Sequence, residues 1–385
     1  MKVSNHVFHL TDDFSPHSGV TGMIRQLSRY LSGQGWSVTI MTTDGEVSPG
    51  PLEVNLIKFP RRLGGIWQFP KGLRSYLDQL RRVPRRIFHL HGIWMGVQWL
   101  AAREALRQGT PALLSPHGML NSWHLKQMSF KKLKKLIYWH TVAYPAFRHL
   151  PMLHAITPWE RDELVRYFPG QVIEVIPNAI DLQEMAALLA NLGDDASVPV
   201  EEPYLLFLGR LHPVKGVDLL IKAFAQCLHG TKRKFRLLIA GPDSDPVYSG
   251  ELKSLVRQLG VEEAITFLGP VFGREKVALY RHAWAFCAPS QTEVIGLVNL
   301  EAAALELPVI TTHETGLCNW EEEGGVLVHP RVEELSRALT GVFSWSESER
   351  QDRGQRLRQL VERRYSWQVV GPQWLELYSQ MESHH

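Results

Sequence analysis

The stretch WAFCAPSQTEVIGLVNLEAAAL, residues 284–305, passes from an apolar run into an alanine-rich one. Residues 284–289 predict a buried strand, residues 290–292 a turn, and the helix runs through residues 300–305. Gly296 lies at the mouth of this helix, where an anion can approach bare backbone N–H groups and the helix dipole favours negative charge. Glu293 and Glu301 flank the glycine and would repel an anion, so they suit hydroxyl groups of the same ligand. The pattern predicts a ligand with central phosphates and hydroxyls at both ends, such as a sugar nucleotide.

Short apolar runs alternate with helical stretches along the rest of the chain, which predicts parallel sheets covered by helices on both faces. In the first half, strands are predicted near residues 6–10, 37–42, 86–90, 111–115, 152–156 and 172–176. After a loose, partly acidic stretch at 191–200, further strands are predicted near residues 204–208, 236–240, 265–268, 284–288 and 308–312. Because 385 residues exceed what one core usually organises, we predict an α/β protein with two doubly wound domains. Ligands of such sheets bind beyond the carboxyl ends of the strands.

The composition, 44% hydrophobic and 21% charged, is typical of a soluble globular protein. No apolar run approaches the roughly 20 residues of a membrane span, and the start of the chain reads as a strand rather than a signal peptide. We therefore expect a cytoplasmic protein. A net charge of +3 is too small to indicate nucleic-acid binding. Cys227, Cys287 and Cys318 lie in or beside apolar segments without metal spacing, and we interpret them as reduced core residues.

Basic residues are concentrated in the first half of the chain, where they interleave with aromatic ones. The lysines of the main segment, which leads into Tyr138 and Trp139, are Lys131, Lys132, Lys134 and Lys135. Arginines recur at residues 61–62 and 81–86. Two interpretations stay open: a solvated helix face, or a patch that docks on anionic lipid.

Two basic residues follow the first predicted strand of the second domain. Arg210 stands at the end of the strand and Lys215 at the mouth of the next helix. A guanidinium and an ammonium in these positions can clamp a diphosphate, with about 1.5 to 3 kcal/mol for each charge-assisted hydrogen bond. They would also neutralise a departing nucleoside diphosphate, which a metal ion would otherwise do. Taken alone the two residues read as solvated, but together with Glu293 and Glu301 they favour a diphosphate site.

Together these segments resemble the retaining glycosyltransferases of family 4, which have the GT-B fold. The resemblance covers nearly the whole chain and rests on these segments: Ser18-Gly19-Val20, Ser115-Pro116-His117-Gly118, Ile176-Pro177-Asn178-Ala179-Ile180-Asp181, Gly209-Arg210 with Lys215-Gly216, and Pro289-Ser290 leading into Glu293 and Glu301. It implies two Rossmann-like, doubly wound domains that face each other across a cleft. Residues 1–180 would form the acceptor domain, residues 181–363 the nucleotide-sugar donor domain, and residues 364–385 a C-terminal helix that crosses back to the first domain.

The resemblance also implies roles for individual residues. Arg210 and Lys215 would bind the diphosphate, Glu301 the ribose hydroxyls and Glu293 the transferred sugar. The backbone would meet phosphate at Gly296, Leu297 and Val298. His117 would lie beside the reacting sugar, and Gly19 would give backbone room near the phosphate. Arg210, Lys215, Glu293 and His117 form the implied catalytic set.

The implied reaction is front-face transfer with retention, in which the leaving phosphate accepts the proton of the acceptor and no separate base is needed. We expect neither a cofactor nor a metal ion. Asp243 and Asp245 imitate an Asp-x-Asp metal motif, but we interpret them as a turn or a helix start. His89 and His91 lack zinc spacing and a third ligand, so packing or lining of the cleft is expected for them.

The sequence departs from the family in two loops. The first glutamate is commonly followed by Gly-Phe-Gly, whereas here Glu293 is followed by Val294, Ile295 and Gly296. Branched side chains stiffen this loop, where the sugar is selected. The first loop has one glycine, Gly19, where many members have two.

Other functions fit parts of the pattern. Paired glutamates suit a glycosidase, but a glycosidase needs no phosphate clamp. A sugar-nucleotide epimerase, a phosphorylase and a catalytically silent sugar-nucleotide-binding protein remain alternatives within the same fold. The basic and aromatic segments favour a glycan or lipid-linked acceptor in cell-surface polysaccharide or lipopolysaccharide synthesis, with peripheral association with anionic membrane. A small soluble acceptor is the alternative.

Overall fold

The computed structural model describes residues 5–15, 18–44, 54–61, 69–120, 130–192, 200–228, 234–317 and 319–383. The chain divides into two compact units, one made of Met1–Ala179 with Val370–His385 and the other of Ile180–Val369. Within the described residues, each unit has one parallel sheet, of seven strands in the first unit and six in the second. The predicted α/β class with two doubly wound sheets is confirmed.

The first unit alternates strands and helices in the order that the apolar runs predict. Its elements are β1 (His6–Asp13), α1 (Gly19–Gly33), β2 (Ser37–Asp44), β3 (Asn55–Lys58), α2 (Leu73–Gln79), β4 (Arg86–His91), α3 (Gly96–Gln108), β5 (Ala112–Ser115), α4 (Phe130–Tyr138), α5 (Tyr144–Phe147), β6 (Met152–Ala155), α6 (Pro158–Tyr167) and β7 (Val172–Val175). The strand order is β3-β2-β1-β4-β5-β6-β7. Five consecutive residues are buried in each of the central strands β1 and β4, as expected for a parallel sheet covered by helices on both faces.

The second unit repeats the plan. Its elements are α7 (Leu182–Ala190), β8 (Tyr204–Leu208), α8 (Val217–Leu228), β9 (Arg236–Ala240), α9 (Pro246–Gln258), β10 (Ile265–Gly269), α10 (Gly273–His282), β11 (Ala285–Ala288), α11 (Leu297–Ala304), β12 (Val309–Thr312), β13 (Val326–Val328), α12 (Val332–Ser344) and α13 (Glu347–Arg364). The strand order is β10-β9-β8-β11-β12-β13. Residues 285–288, which precede Glu293 and Glu301, form a fully buried strand near the centre of this sheet.

The last helix, α14 (Trp367–Ser383), belongs to the first unit from Val370 onward. Gly371 lies against the ring of Tyr30 on α1, where a Cβ would collide with the ring. The Tyr378 hydroxyl lies 2.7 Å from Nδ1 of His89 on β4. The helix is therefore joined to its own unit both by close packing and by a buried hydrogen bond.

Among the strands in the described residues, two were not predicted, and both lie at the edge of a sheet. β3 is only half-buried or exposed along its four residues, and β13 has three residues of which one is buried. An edge strand covers less apolar surface, so its sequence carries a weaker apolar run than a central strand does.

The structure also bears on the cysteines and on the expected lack of a membrane-spanning helix. Cys227 and Cys287 are buried free thiols, as expected, whereas Cys318 lies outside the described residues. None of the helices in the described part of the chain combines the length and apolar character that a membrane span requires.

Candidate functional site

In the second unit, two loops meet at the point where the order of strands reverses. β8 lies beside β11, and the chain proceeds from β8 to β9 and β10 on one side and from β11 to β12 and β13 on the other. Ligands of doubly wound sheets bind at such a reversal, beyond the carboxyl ends of the strands. The backbone N–H of Gln291 after β11 donates to the carbonyl of Val214 after β8, at 2.8 Å. Gly216, with a left-handed φ of 66°, packs so closely on Pro289 that a Cβ would collide with its carbonyl oxygen.

This contact brings Lys215 to Glu293. The lysine Nζ donates to Oε1 of the glutamate at 2.6 Å, and the two side chains are 17% and 21% exposed. Ser290 donates its hydroxyl to Oε2 of the same carboxylate at 3.1 Å. The glutamate is therefore held from two sides. An ammonium has three donors, so Lys215 keeps hydrogen-bonding capacity for an anionic ligand.

A second lysine–glutamate pair lies at the other end of the stretch. Nζ of Lys276 on α10 lies 2.7 Å from the Glu301 carboxylate, and the side chains are 24% and 20% exposed. The Tyr280 hydroxyl is 3.1 Å from Oε2 of Glu301. Burial and the neighbouring carboxylate raise the pKa of Tyr280 well above its ordinary value, so this hydroxyl remains a donor. Lys276 was not predicted from the sequence, although this residue follows the predicted strand β10 and the loop Gly269–Gly273.

The helix that carries Glu301 begins, as predicted, at a glycine. Gly296 is the N-cap of α11, where a Cβ would collide with the amide group of Asn299. The N–H groups of the first turn, at Leu297 and Val298, have no partner within the helix. Leu297 and Val298 are half-buried. The side chain of Ile295 is buried and so anchors the loop that precedes α11. The predicted anion site and its two flanking acids thus lie on one short segment.

Arg210 occupies a different position from Lys215. Its side chain is exposed and has no hydrogen bond or ion pair to any other described residue. Burial lowers the pKa of His212, and the nearby positive charge of Arg210 lowers it further. Nδ1 of His212 accepts a hydrogen bond from the backbone of Val214 at 3.2 Å, which orders the turn before Lys215. Arg210 is therefore a cation that a ligand can engage without breaking a protein contact.

The two aspartates that imitate a metal motif serve local structure. Asp245 is the N-cap of α9 and accepts from the Tyr248 backbone N–H at 3.3 Å. Asp243 accepts the hydroxyl of Ser249 at 2.6 Å. The expected helix-start role of Asp245 is what the structure shows.

In the first unit, the strand order reverses between β1 and β4, and five histidines are clustered there. They are His9 on β1, His89 and His91 on β4, His117 after β5 and His154 on β6. His89 Nε2 and His154 Nδ1 both bind the Ser115 hydroxyl, at 2.7 and 2.8 Å. Gly19, the first residue of α1, follows β1, and its Cβ position is open within the described structure.

The premise that His89 and His91 lack a third potential ligand is wrong. In the described part of the chain, nitrogens of His9, His89 and His91 lie within 4.8 Å of one another. His9 is 80 or more residues away in sequence and joins the others only because β1 and β4 pair in parallel with His9 opposite His89. Both ring nitrogens of His89 are already bound, to Tyr378 and Ser115, so its ring serves packing and hydrogen bonding.

His117 stands on a strained corner that a buried acid holds. Its φ is 55°, which is unusual for a residue other than glycine. Glu160 accepts the backbone N–H of the next residue, Gly118, at 2.6 Å and that of Ile156 at 2.7 Å. Burial raises the pKa of Glu160 to about 7 against the two hydrogen bonds, which lower it. Glu160 on α6 thus holds the backbone of the corner at His117 through the N–H of Gly118.

Comparisons with known proteins match both units. A model of the glycosyl transferases group 1 matches residues 194–359, and a model of glycosyltransferase family 4 matches residues 17–184. D-inositol 3-phosphate glycosyltransferase 2 of Catenulispora acidiphila is 32% identical over 80% of this chain and 78% of its own length. The D-inositol 3-phosphate glycosyltransferase of Kineococcus radiotolerans is 35% identical over 43% of this chain; the chain spans only 40% of that relative's length.

Among solved structures, the Anabaena protein HepE in complex with UDP-glucose aligns with a TM-score of 0.75. The alignment covers 97% of this chain and 99% of HepE at 16% identity, which is a likeness of fold. The predicted GT-B fold class is confirmed.

The corner at His117 gives a prediction about pH. Because the folded state raises the pKa of Glu160 from 4.5 to about 7, its stabilising contribution is complete below pH 4.5 and is lost as the pH rises through 7. This amounts to about 3 kcal/mol. Glu160→Gln removes the titration, so the stability advantage of the wild type over the variant should be largest near pH 5 and smaller by about 2 kcal/mol near pH 8.

Urea unfolding of both proteins at the two pH values measures this difference. Asp162→Asn, an exposed change on the same helix, controls for the loss of a negative charge. An advantage that is the same at both pH values would contradict the account of Glu160.

Proposed function

The chain belongs to glycosyltransferase family 4, and on that basis we propose that it transfers a sugar from a nucleoside-diphosphate sugar to a hydroxyl of an acceptor, with retention at the anomeric carbon. The observation that carries the proposal is the arrangement around α11. Two carboxylates flank a helix N-terminus, and each is already paired with a lysine. An anion can bind there because the acids' charges are balanced, while the carboxylate oxygens still accept from sugar hydroxyls.

In the second unit, the proposal assigns the diphosphate to Arg210, Lys215 and the N–H groups at the start of α11, with backbone contacts at Gly296, Leu297 and Val298. Glu301 accepts hydrogen bonds from the ribose hydroxyls, and Glu293 accepts from the transferred sugar. Lys276 orients Glu301 through their 2.7 Å contact. In the first unit, Gly19 is assigned to phosphate and His117 to the sugar.

The chemistry follows from these assignments. The bond between the anomeric carbon and the diphosphate oxygen breaks, and the acceptor oxygen forms a new bond on the same face of the sugar. The acceptor's proton moves to the departing diphosphate, so no separate base is assigned. Arg210, Lys215 and the helix N-terminus stabilise the charge that develops on the leaving group. Lys215 and the helix N-terminus are held in place before the reaction begins, whereas the exposed Arg210 engages the diphosphate when it binds.

We propose that the transfer needs no metal ion. Arg210, Lys215 and the N–H groups at the start of α11 supply the positive character that the proposed diphosphate needs. The oxygens of Asp243 and Asp245 that bind Ser249 and the α9 backbone serve the protein itself.

For the acceptor, we propose a lipid-linked or glycan molecule reached at an anionic membrane surface. On α4, Leu133, Leu136 and Ile137 are 56%, 46% and 51% exposed and form one stripe at helical spacing. Lys134 and Lys135 are exposed beside it. An apolar stripe with adjacent lysines is the pattern of a helix that lies in a lipid interface. The side chains of Lys131 and Lys132 lie outside the described residues.

A second acceptor class is favoured by a specific observation. The relatives from Catenulispora and Kineococcus bear the name of glycosyltransferases acting on D-inositol 3-phosphate, a small phosphorylated polyol. A small soluble acceptor of this type would leave the exposed stripe on α4 without a role in acceptor binding.

The donor site gives a kinetic prediction. Lys215→Ala and Glu293→Gln should each lower kcat/KM for transfer by about 10² to 10³, because they remove charge or hydrogen bonds that stabilise the transition state. Lys222→Ala on α8 is the matched control. The ion pair between Lys222 and Asp218 is long, at 3.7 Å, and the lysine side chain is 43% exposed. Proton NMR of the product's anomeric centre reports retention. Full transfer rates in either variant would exclude this donor site.

The helix α4 gives a prediction about membranes. The wild type should float with vesicles that contain phosphatidylglycerol, and Lys134→Gln with Lys135→Gln should weaken binding by about tenfold or more, at about 1 kcal/mol per lysine. Lys253→Gln with Arg257→Gln removes the same charge from an exposed face of α9 and serves as control. If the wild type stays with the unbound fraction on anionic vesicles, the lipid-linked acceptor loses its support and the small acceptor is favoured.

A further inference from the structure

Three histidines of the first unit form a continuous chain of ring-to-ring hydrogen bonds. Nδ1 of His9 lies 2.9 Å from Nε2 of His91, and Nδ1 of His91 lies 2.9 Å from Nε2 of His117. His9 and His91 are fully buried, whereas His117 is partly accessible. The chain therefore leads from the interior of the sheet to the residue assigned to the sugar.

Each bridge between two imidazoles holds a single proton, donated by one ring and accepted by the other. Burial lowers the pKa of all three rings, to about 3 for His9 and His117, so they are neutral at physiological pH. A neutral imidazole has one N–H, so a ring that accepts at one nitrogen must donate from the other. The direction of one bridge then sets the direction of the next, and the chain has only two possible arrangements.

The environment of His9, at the buried end of the histidine chain, selects one of the two arrangements. Nε2 of His9 is buried and has no hydrogen-bond partner among the described residues. Among main-chain groups, a buried N–H without an acceptor is rarer than a buried acceptor without a donor, and we apply the same preference to the imidazole of His9. His9 therefore holds its proton on Nδ1 and donates to His91, and His91 donates from Nδ1 to Nε2 of His117. His117 is left with its proton on Nδ1, an atom without a partner in the described structure.

The position of the ring is fixed as well as its proton. The corner at His117 has a left-handed φ of 55°, and Glu160 holds the N–H of Gly118 at 2.6 Å. The side chain is held by His91 and the backbone by Glu160, from different elements of the unit. The ring thus has little freedom to change its hydrogen-bonding partner.

We propose that His9 and His91 are positioning residues that fix His117 as the Nδ1–H tautomer and so make it a hydrogen-bond donor to an oxygen of the transferred sugar. The identity of the sugar as partner rests on the proposed function, whereas the tautomer does not. The opposite arrangement would present a bare nitrogen, which accepts from a sugar hydroxyl instead of donating to its oxygen.

Long-range proton–nitrogen spectra of the full-length protein labelled with ¹⁵N-histidine test the tautomers directly. We expect His9, His91 and His117 all to be protonated at Nδ1. His9→Phe removes the first donor without touching His117, and it should shift the His117 ring signals and lower kcat by about tenfold or more, with a smaller change in KM. His9→Asn places an amide donor near the lost Nδ1 and should restore both.

His6→Phe is the matched control, because His6 lies on the same strand but bonds Thr39 at 2.9 Å, outside the chain. A wild-type His117 protonated at Nε2, unchanged His117 signals in His9→Phe, or stoichiometric zinc on the purified protein would overturn the proposal. Shifted signals with an unchanged kcat would overturn the positioning role alone. The donor site is tested separately by Lys215→Ala, so the two failures are distinguishable.

Discussion

The contact between the loops after β8 and β11 is the constraint on which the candidate donor site depends. These strands are parallel neighbours from which the chain turns in opposite directions, so their loops must share one edge of the sheet. Gly216 allows the first loop to touch Pro289, and the backbone of Gln291 binds Val214. Lys215 and Glu293, 78 residues apart in sequence, meet only for this reason.

Electrostatics explains how two acids can flank the proposed anion site. Isolated carboxylates beside the start of α11 would oppose a diphosphate, but each forms a short contact with a lysine, at 2.6 Å for Glu293 and 2.7 Å for Glu301. The four side chains together are neutral, and the exposed Arg210 and the helix dipole add positive character. Each carboxylate oxygen can accept more than one hydrogen bond, so the paired acids keep the capacity to accept from hydroxyl groups, which is the role proposed for them.

The sequence alone predicted the buried parallel strands and the segment with Glu293, Gly296 and Glu301, because continuous apolar runs and a glycine before a helix are local signals. The edge strands β3 and β13 were missed because they bury little apolar surface. Lys276 was missed because a lysine in a charged helix reads as a surface residue until its neighbour Glu301 is known. The chain of His9, His91 and His117 depends on the register of parallel strands, and no local pattern in one sequence encodes that register.

The central claim is that the two lysine–glutamate pairs around α11 form a site for a nucleoside-diphosphate sugar. Thermal unfolding with UDP, GDP and ADP, and with their sugars, tests it most directly, since a ligand that binds only the folded state stabilises it by about 2.7 kcal/mol at 100 times its Kd. One of these nucleotides should raise the Tm of the wild type, and Lys276→Ala should reduce the shift. A Tm that none of the nucleotides or nucleotide sugars changes would contradict the account.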